Sequence, residues 1–293
     1  MLLAENLLGL IVLGVMGGTI YGLLAMGLSL QYGVCRVLNI THGEFAMLAA
    51  VLTFAFSQLG INPLLAPVII GPILFGLGFL LQTTLFKAIK ARAPSPGAFE
   101  GNALLAAFGV MYVIMYLARL KWGSVALPSQ YLVNSVAYIG FAGIPLNLII
   151  IFAIAVALGI AVNVFLTRSR LGRAIRATGE DSATAELMGV NTNTILAFCF
   201  GLGALLAAVA GTLISIRTPI DTGIGFNNTV IALIVVTLGG LGSIPGGFIA
   251  GMIIGVVSNL VTFLWEPVLA VPVYYAMLMV LLLARPSGIF GKK

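Results

Sequence analysis

Charge is what this sequence has least of. Aspartate and glutamate number eight and lysine and arginine fourteen, leaving the chain 8% charged, where a soluble domain carries about a quarter. That shortage excludes a soluble protein. Histidine occurs once, as His42, which puts a histidine-rich metal site out of reach. Cys35 and Cys199 each lie beside apolar runs, with no metal-ligand spacing between them. Lodging in an apolar interior suits each thiol, and a disulfide between them stays open. No G-x-x-x-x-G-K-[ST], H-E-x-x-H or G-x-S-x-G occurs, so the chain brings no phosphate loop of its own, and neither a metal nor a cofactor is expected. The amino terminus carries Glu5 in place of the lysine or arginine of a cleavable leader, so the first apolar segment is expected to be retained.

What the chain has instead is apolar length. It is 61% hydrophobic with a mean hydropathy of +1.18, and apolar stretches of roughly 20 residues recur from end to end, as spanning helices require. Barrel strands would be short and alternating. The fold class is all-α: one polytopic membrane domain over residues 1–293, with about eight or nine membrane segments. The net charge of +6 would suggest nucleic acid in a soluble protein. Here cations gathering on the cytoplasmic side account for it, and no nucleic acid partner is expected.

The first segment, residues 7–33, is too long for a ~30 Å core unless tilted or broken. Gly14, Gly18 and Gly22 put a small-residue stripe on it, and Gly247, Gly251 and Gly255 form a second one late in the chain. Two polar breaks interrupt the apolar pattern, residues 36–44 and 239–247. Paired interruptions in the two halves of a transporter point to its pathway. Residues 87–97 read as a basic, turn-rich loop and 121–143 as an extramembrane excursion. The cation clusters around Lys87, Lys90 and Arg92, around Arg168 to Arg176, and at Arg285, Lys292 and Lys293 alternate onto one side, assigned as cytoplasmic. Arg119, Lys121, Arg217, Asp221 and Glu266 then lie outside.

The longest polar interruption is residues 168–193. It holds Arg168, Arg170, Arg173, Arg176, Glu180, Asp181 and Glu186, and reads as two short helices on the cytoplasmic face. Ser182 is the expected cap of the second, Gly189 its stop, and Asn191 or Thr192 the cap of the helix that re-enters the membrane. Such a loop suits the groove of a partner, and equally a solvated connector.

Here the residues carry a resemblance. Ala183-Thr-Ala-x-x-x-Gly189 resembles the "EAA" loop of ATP-binding cassette importer permeases. With Arg36-Val-Leu-Asn-Ile-Thr-His-Gly-Glu-Phe45, Leu238-Gly-Gly-Leu-Gly-Ser-Ile-Pro-Gly-Gly247, Leu171-Gly-Arg173 and Pro286-Ser-Gly-Ile-Phe-Gly291, nearly the whole chain resembles the branched-chain amino acid permease family of the LivH type. Ala183 stands where the family's loop has glutamate, and Thr184 where it has its first alanine. The resemblance implies a type II-like importer permease fold in a bacterial inner membrane. It also implies a second permease subunit, two cytoplasmic ATPases and a periplasmic substrate-binding protein. Coupling to the ATPases is expected at Arg173, Glu180, Asp181, Ala183, Thr184, Ala185 and Gly189. Since ATP hydrolysis belongs to those partners, the chain is expected not to be an enzyme.

Thr41-His-Gly-Glu44 fits a capping box, in which Glu44 caps its own helix and pairs with Arg36. On the alternative reading Arg36, Asn39, His42 and Glu44 line the route, together with Gly239, Gly240, Gly242 and Gly247. On the outer face Arg119, Lys121 and Arg217 are the expected docking charges for the binding protein, headgroup anchoring being the other use of Arg217. A self-sufficient secondary transporter or channel, with Glu44 and Arg36 coupling an ion, is the second functional reading. A membrane enzyme is the third, and lacks any clustered catalytic set.

Overall fold

The computed structural model describes residues 2–133, 135–139, 142–285 and 287–291. Asn134, Pro286, Lys292, Lys293 and the side chain of Glu5 fall outside the described residues. The first helix, α1, runs unbroken over Leu2–Cys35; its 34 residues reach about 51 Å, so it tilts or projects beyond the apolar layer. Arg36 then takes a left-handed backbone conformation (φ +53°), and the chain doubles back so that α2, His42–Gln58, starts inside the bundle. Its His42 ring sits against the Leu24 carbonyl (3.0 Å), about three turns back along α1.

The next helix runs on into the expected basic loop. α3, Ala66–Leu81, passes through a π turn at Gln82–Phe86 into α4, Lys87–Arg92. The expected basic loop is therefore half helix: lysine and arginine are good helix formers, and the stop comes at Ala93, held extended by the proline that follows it. α5, Pro96–Trp122, is capped by Ser95, whose hydroxyl accepts from the Ala98 N–H (3.2 Å). The excursion after it contains the antiparallel pair β1, Val136–Ile139, and β2, Ala142–Pro145, and Leu127 bridges to Ile220.

α6, Leu146–Arg168, leads to the short helices α7, Arg170–Glu180, and α8, Ser182–Leu187. Then come α9, Thr192–Arg217; α10, Ile224–Gly239; α11, Ile244–Leu264; and, after a short turn at Pro267–Leu269, α12, Ala270–Ala284. Seven helical stretches among the described residues are long and apolar enough to cross a membrane. α2 and α10, with 17 and 16 residues, are shorter than the roughly 20 a crossing needs. The all-α reading holds, with one small hairpin added.

α9 is the most buried of the long helices. It packs on α1, α2 and α3 through small residues: Gly211 lies so close to the Ala46 carbonyl that no side chain fits between them. The two glycine stripes pack on each other. Gly14 and Gly18 of α1 meet Gly255 and Gly251 of α11 backbone to backbone, in antiparallel order. Cys35 and Cys199 are both free, buried thiols, and the Cys35 Sγ lies 3.4 Å from the Leu196 carbonyl.

The cation-rich regions do share one end. Lys90 and Glu180 line one cleft there, Arg176 and Ser287 a second, and Arg36 lines both. By the excess of cations there, that end is assigned as the cytoplasmic one. Since α1 finishes there, its amino-terminal end faces the opposite side, where Arg217 meets Gly17.

Candidate functional site

The cytoplasmic loop is a built object. Ser169 caps α7 by accepting from the Gly172 N–H (2.8 Å). Arg176 reaches back to the Leu166 carbonyl and Arg173 to the Arg168 carbonyl (3.3 Å), tying the loop to the end of α6. Gly179 lies beside Gly33 and Val34 of α1. The cap of α8 is Asp181 rather than the expected Ser182: its Oδ1 accepts from the Ala183 and Thr184 N–H groups (2.9 and 3.3 Å), and its Oδ2 from the Thr184 hydroxyl (2.5 Å). A carboxylate one residue earlier reaches the same orphan donors and brings negative charge to the helix's positive end. Gly189 ends α8 with φ +84° and Asn191 caps α9, both as expected.

Of the residues expected to couple, Arg173, Glu180, Asp181, Ala183, Thr184 and Gly189 are exposed, whereas Ala185 is buried against the loop's own interior. The side chains that stand out were not among them. Leu187 is 88% and Met188 80% exposed, an apolar pair at the tip of a polar loop. Two large apolar residues just before a glycine stop, in a stretch otherwise rich in charge, were the available signal.

Asp181 yields a pH prediction. The Thr184 hydroxyl, then the Thr184 and Ala183 N–H groups, hold its carboxyl below its ordinary value. A depressed carboxylate pKa gives stability that is present above the unfolded-state value and is lost as pH falls through the folded one. A spin label at Ala183 should therefore keep constant mobility from pH 7 down to about pH 4, the ordinary aspartate range, and loosen below it. In Asp181→Ala the label should be mobile throughout; a label equally rigid in that variant at pH 7 would remove the cap from the account.

The glycine break lies at the same cytoplasmic end. Gly240 (φ +98°) and Gly242 (φ +86°) turn the chain between α10 and α11, whose cap is Ser243, accepting from the Gly246 N–H (3.2 Å). Gly239 packs directly on the Gly246 carbonyl. The segment after α12 completes the joint: the Ile289 and Phe290 N–H groups donate to the Leu238 and Gly239 carbonyls (2.9 and 3.2 Å). Gly240 has no room for a side chain beside Gly291, while Gly247 faces the Ala25 methyl at ordinary range. A cavity of about 620 Å³ opens beside the joint, lined by Tyr32, Gly33, Arg36, Arg176, Glu180 and Gly242 among others.

Inside the bundle the first turns of α2 and α10 meet. The Gly43 N–H donates to the Thr229 hydroxyl (2.8 Å), which donates in turn to the Ile40 carbonyl (2.8 Å). The expected capping box does not form. Thr41 has helical backbone angles and its hydroxyl donates to the Ala107 carbonyl (2.8 Å), while Glu44 turns onto Gly225. Arg36, exposed at the cytoplasmic end, is not the partner of Glu44. Asn39 is fully engaged, donating to Gln31 (3.1 Å) and accepting from the Thr41 N–H (3.1 Å). His42 Nε2 carries the proton, since the Leu24 carbonyl can only accept.

The outer cations divide. Lys121 is exposed beside Trp122 (4.8 Å from the ring centre). Arg119 leans on Tyr116 (5.5 Å), and Arg217 is half-buried with Nη1 3.4 Å from the Gly17 carbonyl.

Short helices meeting inside a bundle of long apolar ones, a glycine joint at one end and a capped knob beyond it make up a polytopic membrane protein. The chain belongs to one family of these, described as "Branched-chain amino acid transport system / permease component", which matches residues 10–283. The permease protein LivH of a high-affinity branched-chain amino acid transport system in Salmonella typhimurium is 32% identical, over 95% of this chain and 94% of its own. BraD, named for the same kind of system in Pseudomonas aeruginosa, is 30% identical over the same shares. A probable branched-chain amino acid transport permease, LivH, of Methanocaldococcus jannaschii is 27% identical over 82% of this chain and 76% of its own. No solved structure matches the chain. The protein is a permease subunit of an ATP-binding cassette importer, multi-pass in the bacterial inner membrane, and not an enzyme; ATP hydrolysis belongs to partner subunits.

Proposed function

We propose that this permease imports branched-chain amino acids or closely related small amino or carboxylic acids. It would do so beside a second, non-identical permease, with two ATPases below and a periplasmic binding protein above. The observation that carries the coupling is the exposed Leu187–Met188 tip at the end of the capped helix α8, which packs on α7, itself tied to the end of α6 and packed on α1. ATP-driven closure of the ATPases pushes on α8, and α7, packed on α1, α6 and α9, passes the motion to the glycine joint at Gly239, Gly240, Gly242 and Gly247. Arg36 borders the inner mouth of the route, and Asn39, His42 and Glu44 lie further in. Lys121, with Arg217 behind it, orients the binding protein, while Arg119 is turned toward Gly223; exposed charge sets encounter and orientation more than affinity.

The test is reconstitution of the four-subunit complex in liposomes, with leucine-loaded binding protein outside and ATP inside. Leucine uptake should need both ATP and the binding protein. Uptake that persists without ATP would favour a self-sufficient carrier, and ATP hydrolysis stimulated by a binding protein carrying some other solute would replace the substrate.

A further inference from the structure

The start of α10 gathers polar groups that the protein itself leaves unmatched. Glu44 is fully buried, and among the described residues neither of its carboxylate oxygens has a hydrogen-bond partner. The Nδ2 of Asn228, itself 8% exposed, has none either, nor has the Nε of Arg119. Buried polar groups are costly to leave unpaired, and an ionisable group within a membrane bundle is functional by default.

These groups converge. The Glu44 carboxylate lies on Gly225, so closely that a Cβ there would overlap it. Asn228 is three residues further along α10 and so on the same face. Arg119 comes in from the end of α5: its Nη2 stands 3.5 Å from where a Cβ on Gly223 would be. The other acid nearby, Asp221, is engaged, accepting from the Gly223 N–H (2.5 Å). Among the described residues no side chain caps α10, so the N–H groups of its first turn add positive potential beside Gly225. Gly223 and Gly225 leave the backbone bare there. An acceptor pair, a guanidinium and an amide donor thus gather around the start of α10, beside two glycines.

We propose that this cluster is a transit subsite for the backbone end of an α-amino acid. The Glu44 carboxylate receives the α-ammonium, and Arg119 with Asn228 receives the α-carboxylate. The substrate side chain is left unread, so discrimination among amino acids stays with the binding protein. The proposal rests on the amino acid import argued above and gives that route its chemistry. Half-helix ends meeting at such a site are how membrane carriers present fixed dipoles to a charged substrate.

Leucine in the reconstituted complex is the probe, and the quantity read is leucine taken up per ATP hydrolysed. Glu44→Gln keeps the size of the side chain and removes its charge, so a merely space-filling Glu44 predicts no change. The subsite predicts at least a tenfold fall in that ratio, with Glu44→Asp recovering part of it. Asn228→Ala should lower it several-fold. Wild-type ratios in Glu44→Gln overturn the proposal. If that variant fails to assemble with the ATPases, Asn228→Ala decides, and a wild-type ratio there overturns it as well. A wild-type complex that takes up no leucine counts against the import reading; wild-type uptake matched by both variants counts against the subsite alone.

Discussion

A permease with aspartate at both Leu187 and Met188 is expected to reach the membrane intact and to lose its ATPases. Neither residue supports the fold, being 88% and 80% exposed. Burying an apolar side chain of this size contributes about 1.5–3 kcal/mol, so removing two from an interface costs on the order of 3–6 kcal/mol, at least a hundredfold in affinity. The inserted aspartates add the cost of desolvating two charges. Co-purification of the ATPases and stimulation of their activity by loaded binding protein are the measurements. Retention of both at wild-type levels would place the ATPase contact elsewhere on the cytoplasmic face. Ala185→Arg is a poorer test, because Ala185 is buried and a charge there damages the loop before any partner arrives.

Transport is expected to stop in Gly240→Leu, with insertion and ATPase capture preserved. Two constraints coincide at this residue. Its φ of +98° is one that leucine rarely adopts, and a Cβ would press on the Gly291 backbone. The segment that donates to the Leu238 and Gly239 carbonyls would be displaced, and the joint between α10 and α11 would lose its seat. Initial uptake should fall at least tenfold. Gly247→Ala is the control from the same break: its new methyl would meet the Ala25 Cβ at 3.4 Å, ordinary contact, and uptake should stay within about twofold of wild type. Equal behaviour of the two variants would remove Gly240 from the moving joint.

The helices and their punctuation were legible in the sequence because they depend on neighbours. Apolar length marked the spans, Gly189 and Asn191 marked the end of α8 and the start of α9, and polarity marked the loop at 168–193. What the sequence did not show turned mostly on partners far along the chain. Thr41 and Glu44 have the spacing of a capping box, yet Ala107 takes the hydroxyl and Gly225 receives the carboxylate. Arg217 was legible as a charge at the outer end of α9, but its contact with Gly17, two hundred residues away, was not. Both glycine stripes were visible, but their mutual packing was not, since a stripe records that something comes close without recording what. Ser182 against Asp181 was a smaller miss, in which two capping residues side by side left the geometry to choose.

The pairing of those stripes also has a consequence in time. α1 emerges before α11, and the glycines it needs there lie roughly 230 residues later. At about 5–20 residues per second of synthesis, the stripe on α1 waits on the order of ten seconds or more before Gly251 and Gly255 exist. Until then Gly14, Gly18 and Gly22 face lipid, or whatever insertion factor shields them, without the backbone they pack on in the finished fold. Slowing translation between α9 and α11 should lengthen that exposure, and newly made α1 should be open to crosslinking from lipid or chaperone until α11 arrives.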